Sequence, residues 1–144
     1  MEQQNYAKHA QFVPPFHFFL APLAILAVIG SITALVRAFS QGHGRLSASV
    51  LVLLSVVAFG ALLFGRLFAL KVQDRLIRAE ENMRHYLLAG KPLDPRLTID
   101  QLIGLRFASD AEFVALAQRA AAEQLTRDAI KRSVQTWRAD LARL

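Results

Sequence analysis

The chain has 144 residues, of which 54% are hydrophobic and 19% are charged, with a formal net charge of +6 and no cysteine. The absence of cysteine excludes disulfides, thiolate metal sites and cysteine nucleophiles. The positive charge is spread along the chain and few aromatic residues follow Phe68, so the sequence lacks the basic, aromatic surface that nucleic-acid binding requires.

The first predicted element is a transmembrane helix over residues 16–36, preceded by a polar N-terminal segment, residues 1–15. The run contains no Asp, Glu, Lys or Arg and matches the ~20 residues that a bilayer core of about 30 Å requires. A cleavable signal peptide is the alternative, but the run is too long for a signal core and lacks a convincing cleavage site. Pro22 should kink or locally unwind this helix.

A short glycine-bearing loop, residues 37–45, leads to a second predicted span, residues 46–70, so the two spans should form an antiparallel hairpin. Small residues on both spans, Gly30 and Gly65 among them, favour close helix packing. The alternative of a soluble protein would require the remaining segments to bury both helices on all sides. Those segments are too charged and too few to do so.

The distribution of Lys and Arg predicts the orientation of the hairpin. The loop carries Arg37 and Arg45, whereas six basic residues flank the other ends of the spans: Lys8, Arg66, Lys71, Arg75, Arg78 and Arg84. The positive-inside rule therefore places both termini in the cytoplasm and the loop outside. We expect Lys71, Arg75 and Arg78 to contact anionic lipid headgroups, at about 1 kcal/mol for each basic residue near the surface.

The remaining residues, 71–144, are predicted to form a cytosolic helical tail. The second span should continue as one helix to Gly90, with a predicted seam of apolar residues on one face: Val72, Leu76, Met83 and Leu87, flanked by Ile77 and Leu88. Two i,i+4 ion pairs are expected on its surface, Asp74 with Arg78 and Glu80 with Arg84.

Two capping boxes predict the helices that follow. Thr98 with Gln101 should open a short helix over residues 99–107, and Ser109 with Glu112 should open a long helix that runs from residue 110 towards residue 143. The apolar stripe of the long helix is expected to pack back on the predicted seam. The fold class is therefore all-α, with a two-helix transmembrane hairpin and a cytosolic antiparallel helical tail.

Three apolar side chains, Leu105, Phe107 and Trp137, are expected to pack inside the tail. Arg106 stands between two of them, so it should either extend to water or pair with one of three carboxylates. These are Asp74, Glu81 and Asp110.

The sequence offers no catalytic, cofactor or metal site. Its four histidines have no ligand-like spacing, and the segment of residues 60–66 resembles a phosphate loop without the Lys-Ser/Thr pair. Only His17, at the edge of the first span, could ionise inside either run, which disfavours an ion pathway; a pore would need several copies around the serines of the spans. We therefore expect a protein that is not an enzyme and takes no cofactor.

Residues 97–110 (LTIDQLIGLRFASD), with residues 4–9 and 73–81, resemble an uncharacterised family of small bacterial two-span membrane proteins, a domain of unknown function. The resemblance implies a multi-pass protein of the bacterial cytoplasmic (inner) membrane, with no activity to carry over. The leading hypothesis is a membrane-anchored interaction or scaffold module without enzymatic activity. Its partners would be the lipid bilayer and either further copies or a larger membrane protein. The alternative is an accessory subunit or assembly factor of a transporter or other membrane complex.

Overall fold

The computed structural model describes residues 13–139, and these residues are helical apart from their connections. A π-helical turn, Pro15–Leu20, precedes five α-helices: α1 (Ala21–Gln41), α2 (Arg45–Ala89), α3 (Ile99–Leu105), α4 (Asp110–Ala122) and α5 (Arg127–Ser133). The described part of the chain contains no strand, only an isolated antiparallel bridge between Ala108 and Trp137. The all-α prediction is therefore confirmed. The chain divides into two compact units, an N-terminal unit (residues 13–69) and a C-terminal unit (residues 70–139).

The first helical stretch, Pro15–Gln41, is long and apolar enough to cross a membrane. Its π-helical turn ends at Leu20, two residues before Pro22, and the Ala21 backbone N–H donates to the Phe16 carbonyl. Because Pro22 has no N–H to donate, the regular α-helical ladder cannot run through this position. The helix continues past residue 36, so only residues 42–44 connect α1 to α2. Gly42, with φ at +79°, ends α1 in a left-handed conformation.

Three contacts join α1 or its π-helical turn to α2 within the N-terminal unit. The Ser31 and Ser55 hydroxyl oxygens lie 2.8 Å apart. The Arg45 guanidinium lies 5.1 Å from the centre of the Phe39 ring, and the Arg66 guanidinium 5.7 Å from that of Phe16. Gly30 and Gly65 do not mediate a close approach, because a Cβ added at either would meet no atom within 4 Å.

Helix α2 is a single helix of 45 residues, which confirms the prediction of one long helix extending beyond the second apolar run. It ends before Gly90, whose φ is +68°. Both predicted capping boxes are also confirmed, with Thr98 and Gln101 at the start of α3 and Ser109 and Glu112 at the start of α4. Local signals at helix ends thus act as expected.

The prediction of one long helix from residue 110 towards residue 143 is wrong. Helix α4 ends at Ala122, Gln124 takes a left-handed φ of +49°, and the Thr126 side chain caps α5 by accepting from the Ala129 N–H. After α5 the chain is extended, and the Arg138 N–H donates to the Phe107 carbonyl at 2.8 Å. Trp137 therefore lies on an extended segment and not on a helix.

The core of the C-terminal unit lies among α3, α4 and α5. Its six largest fully buried side chains are Leu97, Leu102, Leu105, Phe107, Phe113 and Ile130. Gly104 lets α3 approach α5 closely, because a Cβ built on it would lie 3.0 Å from Ile130 Cγ2 and 3.1 Å from the Arg127 carbonyl oxygen.

The prediction that the tail packs on the seam of Val72, Leu76, Met83 and Leu87 is also wrong. These side chains are 66%, 55%, 60% and 76% exposed, and Leu88 is exposed beside them. The buried face of this part of α2 carries Ile77, Glu81 and His85, at 7%, 5% and 3% exposure. Helix geometry places these three residues on the opposite side from Leu76 and Met83.

Candidate functional site: the two faces of helix α2

The inner face of α2, which packs within the C-terminal unit, is organised around Arg84. Its guanidinium donates to Glu81 Oε2 at 3.1 Å, to Asp110 Oδ1 at 2.7 Å and to the Ala108 carbonyl at 2.7 Å. It also lies 4.3 Å from the centre of the Phe113 ring. One side chain therefore joins α2 to the connector before α4 and to the first turn of α4 itself. The expected partner Glu80 does not fill this role. Arg84 pairs instead with Glu81, three residues earlier on the same helix, and with Asp110 at the start of α4.

Two further polar side chains of α2 hold the connector between α2 and α3. The Nδ1 atom of His85 lies 2.8 Å from the Lys91 carbonyl oxygen, and the His85 ring packs edge-on against Phe113. Asn82 Oδ1 accepts from the Leu93 N–H at 2.9 Å. The inner face is thus buried although it is polar, because its hydrogen-bonding groups meet partners in the adjacent connectors.

Burial sets the protonation behaviour of Glu81. Removal from water raises the pKa of this carboxyl above its ordinary value, and the charge of Arg84 opposes that rise only in part. A raised pKa means that protonated Glu81 contributes stability at low pH, and that this contribution is lost as the pH rises through the folded-state pKa.

Glu112 joins the start of α4 to the extended segment after α5. Its carboxylate accepts from the backbone N–H groups of Gln135 and Thr136, at 3.0 and 3.1 Å, as well as from Ser109. Partial burial disfavours the charged form, but these hydrogen bonds outweigh it and lower the pKa of Glu112. The sequence shows the Ser109 contact as a capping box; the contacts to residues 135 and 136 depend on the turn at Gln124 and could not be seen.

The outer face of α2 carries an exposed apolar seam, which we call the outer seam and define as Val72, Leu76, Ala79, Met83 and Tyr86. These residues follow one another at spacings of four, three, four and three. Such spacing is typical of a helix that packs against another helix. Leu87, also exposed, widens one edge of the seam.

An open cleft of about 960 Å³ borders the C-terminal half of the outer seam. Ala79, Met83 and Leu87 form its apolar side, and Arg138 and Asp110 lie on its other side. Across residues 13–139, no group of three His, Asp or Glu side chains is placed to hold a metal ion.

The other residues that the sequence singled out lie on the C-terminal unit as follows. Lys71, Arg75 and Arg78 are all exposed, and Arg78 also donates to the Leu97 carbonyl at 3.4 Å. Leu105 and Phe107 are fully buried.

Trp137 is half-buried and packs on the Phe107 ring, with the ring centres 5.0 Å apart. Arg106 is buried, and its guanidinium lies 4.9 Å from the Phe107 ring centre. Glu81 and Asp110, two of the carboxylates considered for Arg106, bind Arg84.

Comparison with curated proteins and with solved structures gave no match. A family model matches the whole chain, residues 1–144, and its description is a family of unknown function. The resemblance inferred from residues 97–110 is thereby confirmed at the level of an uncharacterised family. The chain belongs to the family of unknown function DUF6526.

Proposed function

We propose that this chain is an integral membrane protein whose two apolar stretches cross the bilayer as a hairpin. The stretches Pro15–Gln41 and Arg45–Ala89 are both long and apolar enough to do so, and almost none of their most apolar windows is buried by the rest of the chain. A core helix of a soluble protein would instead be covered. Lipid is the environment in which such surfaces cost no free energy.

The proposed location is the bacterial inner membrane, with both termini and the C-terminal unit in the cytosol. The support is the excess of Lys and Arg on the side of the termini over Arg37 and Arg45 in the turn region. Lys71, Arg75 and Arg78 are exposed along α2 and would meet anionic headgroups. In this arrangement the helices that follow α2 form an antiparallel tail at the cytosolic surface.

The proposed activity is that of a non-enzymatic interaction or scaffold module. The observation that carries it is the division of α2 into two faces: the inner face packs on its own unit, whereas the outer seam leaves large apolar side chains in water. Contiguous exposed apolar surface of this kind marks interaction sites. A module of this type requires no catalytic groups, only an anchor and an accessible surface.

The test is crosslinking of the tagged chain in native membranes, followed by extraction in mild detergent and mass spectrometry. The variant Leu76→Glu, which breaks the outer seam without touching the inner face, should lose the crosslinked species that the unaltered chain forms. The matched control Gln118→Glu, on the exposed surface of α4, should retain it.

Recovery of a larger membrane protein in fixed proportion would favour the accessory-subunit alternative. Recovery of the chain from the soluble fraction would contradict the membrane anchor. Crosslinked species that survive Leu76→Glu would contradict the role of the outer seam.

A further inference from the structure

We propose that the occupant of the outer seam is a second copy of this chain, packed as a short parallel coiled coil along Val72–Tyr86. This inference rests on the proposed membrane anchor and goes beyond it by naming the surface, the partner and the relative orientation. The juxtaposition that carries it is an exposed heptad seam on the side of α2 opposite to the face already packed within its own unit.

The spacing of the outer seam is that of a coiled coil, not only that of an amphipathic helix. In heptad notation, Leu76 and Met83 occupy a positions, and Val72, Ala79 and Tyr86 occupy d positions. A surface built on this repeat is complementary to a copy of itself, because the same a and d residues face each other across a two-fold axis.

The charges beside the seam favour a parallel pair. Arg75 occupies a g position and Glu80 the e position five residues later. In a parallel pair, the g residue of one helix faces that e residue of its partner, so Arg75 of each copy would meet Glu80 of the other. An antiparallel pair would lose this match. Copies anchored in one bilayer with the same orientation also present α2 in the same direction, which is the direction that the charges require.

The two segments outside the described residues, residues 1–12 and 140–144, are less suitable occupants of the outer seam than a second copy of the chain. At 1.5 Å per residue the outer seam from Val72 to Tyr86 is roughly 21 Å long. Residues 140–144 could extend over about 17 Å at most, and the described chain before them ends at Ala139, which lines the cleft beside Met83. Four of residues 1–12 are Gln or Asn, and the only apolar or aromatic residues at spacings of three or four are Tyr6, Ala7 and Ala10, too few to match the five positions of the seam.

A seam of five positions is short, since isolated coiled coils are recognised by three or four heptads. Confinement of both copies to the same bilayer compensates, because it raises the effective concentration of one seam at the other. The pairing should therefore be strong in membranes and weak once the chains are diluted in detergent.

The absence of cysteine makes the pairing directly measurable in the full-length chain. Single variants Leu76→Cys and Met83→Cys, oxidised in native membranes, should form disulfide-linked dimers at least fivefold more than the matched controls Lys71→Cys and Gln118→Cys. All four positions are exposed, but only the first two lie on the outer seam. A disulfide requires Cβ atoms about 4 Å apart, so efficient bonding reports proximity at those two positions.

The charge match gives a second readout that unspecific collision would not reproduce. In the Met83→Cys background, Arg75→Glu should lower dimer yield several-fold, and the exchanged pair Arg75→Glu with Glu80→Arg should restore it. Equal yields at all four cysteine positions, or a reversed charge pair that fails to rescue, would overturn the proposal.

Two further results distinguish a failure of the proposed pairing from a failure of the proposed membrane anchor. Membrane-bound chains that form no dimer at 76 or 83 would overturn the pairing alone, whereas chains found in the soluble fraction would overturn the anchor. If dimers form only after removal of residues 1–12 or 140–144, the seam belongs to the chain's own terminus and the proposal is also overturned.

Discussion

Replacing Arg84 with Ala should be among the most destabilising single changes outside the apolar core. The guanidinium is 11% exposed, and it holds the Glu81 carboxylate, the Asp110 carboxylate and the Ala108 carbonyl in one place. Truncation leaves the buried carboxylate of Glu81 without its counter-ion and leaves a backbone carbonyl without a donor. The exposed ion pairs found among residues 13–139, such as Arg132 with Asp128, do not combine these two effects.

The magnitude follows from the burial of each partner. Removing one member of a buried ion pair costs roughly 3 to 5 kcal/mol. Asp110 is 67% exposed, so water replaces that contact at little cost, and Glu81 can take up a proton because its pKa is already raised. We therefore expect a loss of about 2 to 4 kcal/mol at neutral pH.

The loss should depend on pH, with a definite sign. Without Arg84 the pKa of Glu81 rises further, so ionisation of Glu81 destabilises the folded state over a wider range as the pH increases. The deficit of Arg84→Ala should thus be larger at pH 8 than at pH 5. The companion variant Glu81→Gln, which removes the buried charge, should be close to neutral alone and should recover at least ~1 kcal/mol when combined with Arg84→Ala.

The assay is urea unfolding of the full-length chain in detergent micelles, followed by fluorescence of Trp137, the chain's single tryptophan. Because Trp137 lies in the C-terminal unit, its signal reports on the unit that contains Arg84. An Arg84→Ala variant within ~0.5 kcal/mol of the unaltered chain would refute the reasoning, since that is the size of an ordinary surface substitution. So would a double variant no more stable than Arg84→Ala.

Three further predictions concern the same unit. Gly104→Ala should lower the free energy of unfolding of the C-terminal unit by about 1 kcal/mol, because overpacking against Ile130 exceeds the gain in helix propensity. A variant that is more stable in urea unfolding would contradict the close approach of α3 to α5. Glu112→Gln should make the stability of the unit depend less on pH in the acid range, as followed by circular dichroism. The reason is that the lowered pKa of Glu112 contributes stability that is lost as the pH falls through its folded-state value. An acid unfolding profile identical to that of the unaltered chain would contradict this reasoning. Trp137→Ala should cost no more than about 3 kcal/mol by circular dichroism, the lower end expected for a fully buried tryptophan, since Trp137 is only half-buried; a larger loss would show that Trp137 is a core residue.

The parts of the fold that sequence reasoning predicted depend on local signals. The capping boxes at Thr98 and Ser109 and the continuity of α2 up to Gly90 each involve residues within one or two helical turns. The end of α4 was missed because no Gly or Pro marks it; Gln124 adopts a left-handed conformation, and the only visible signal was Thr126 as an N-cap.

The face of α2 that packs could not be read from hydrophobic periodicity. Hydrophobic periodicity predicts that the face of Leu76 and Met83 is buried, whereas in the structure the buried face is that of Glu81 and His85. The polar face can be buried because groups outside the helix satisfy it: the Lys91 carbonyl lies beside His85, and the Ala108 carbonyl and the Asp110 carboxylate hold Arg84, which pairs with Glu81 on the same helix. Such partners are known only once the tertiary fold is known.

The most direct test of the membrane anchor is cysteine accessibility in intact bacterial cells that express single variants of the full-length chain. His43→Cys lies in the turn between α1 and α2, and Gln118→Cys lies on the exposed surface of α4. The account predicts that a membrane-impermeant maleimide labels His43→Cys in intact cells and Gln118→Cys only after lysis. Labelling in the opposite order, or recovery of both variants in the soluble fraction, would contradict it.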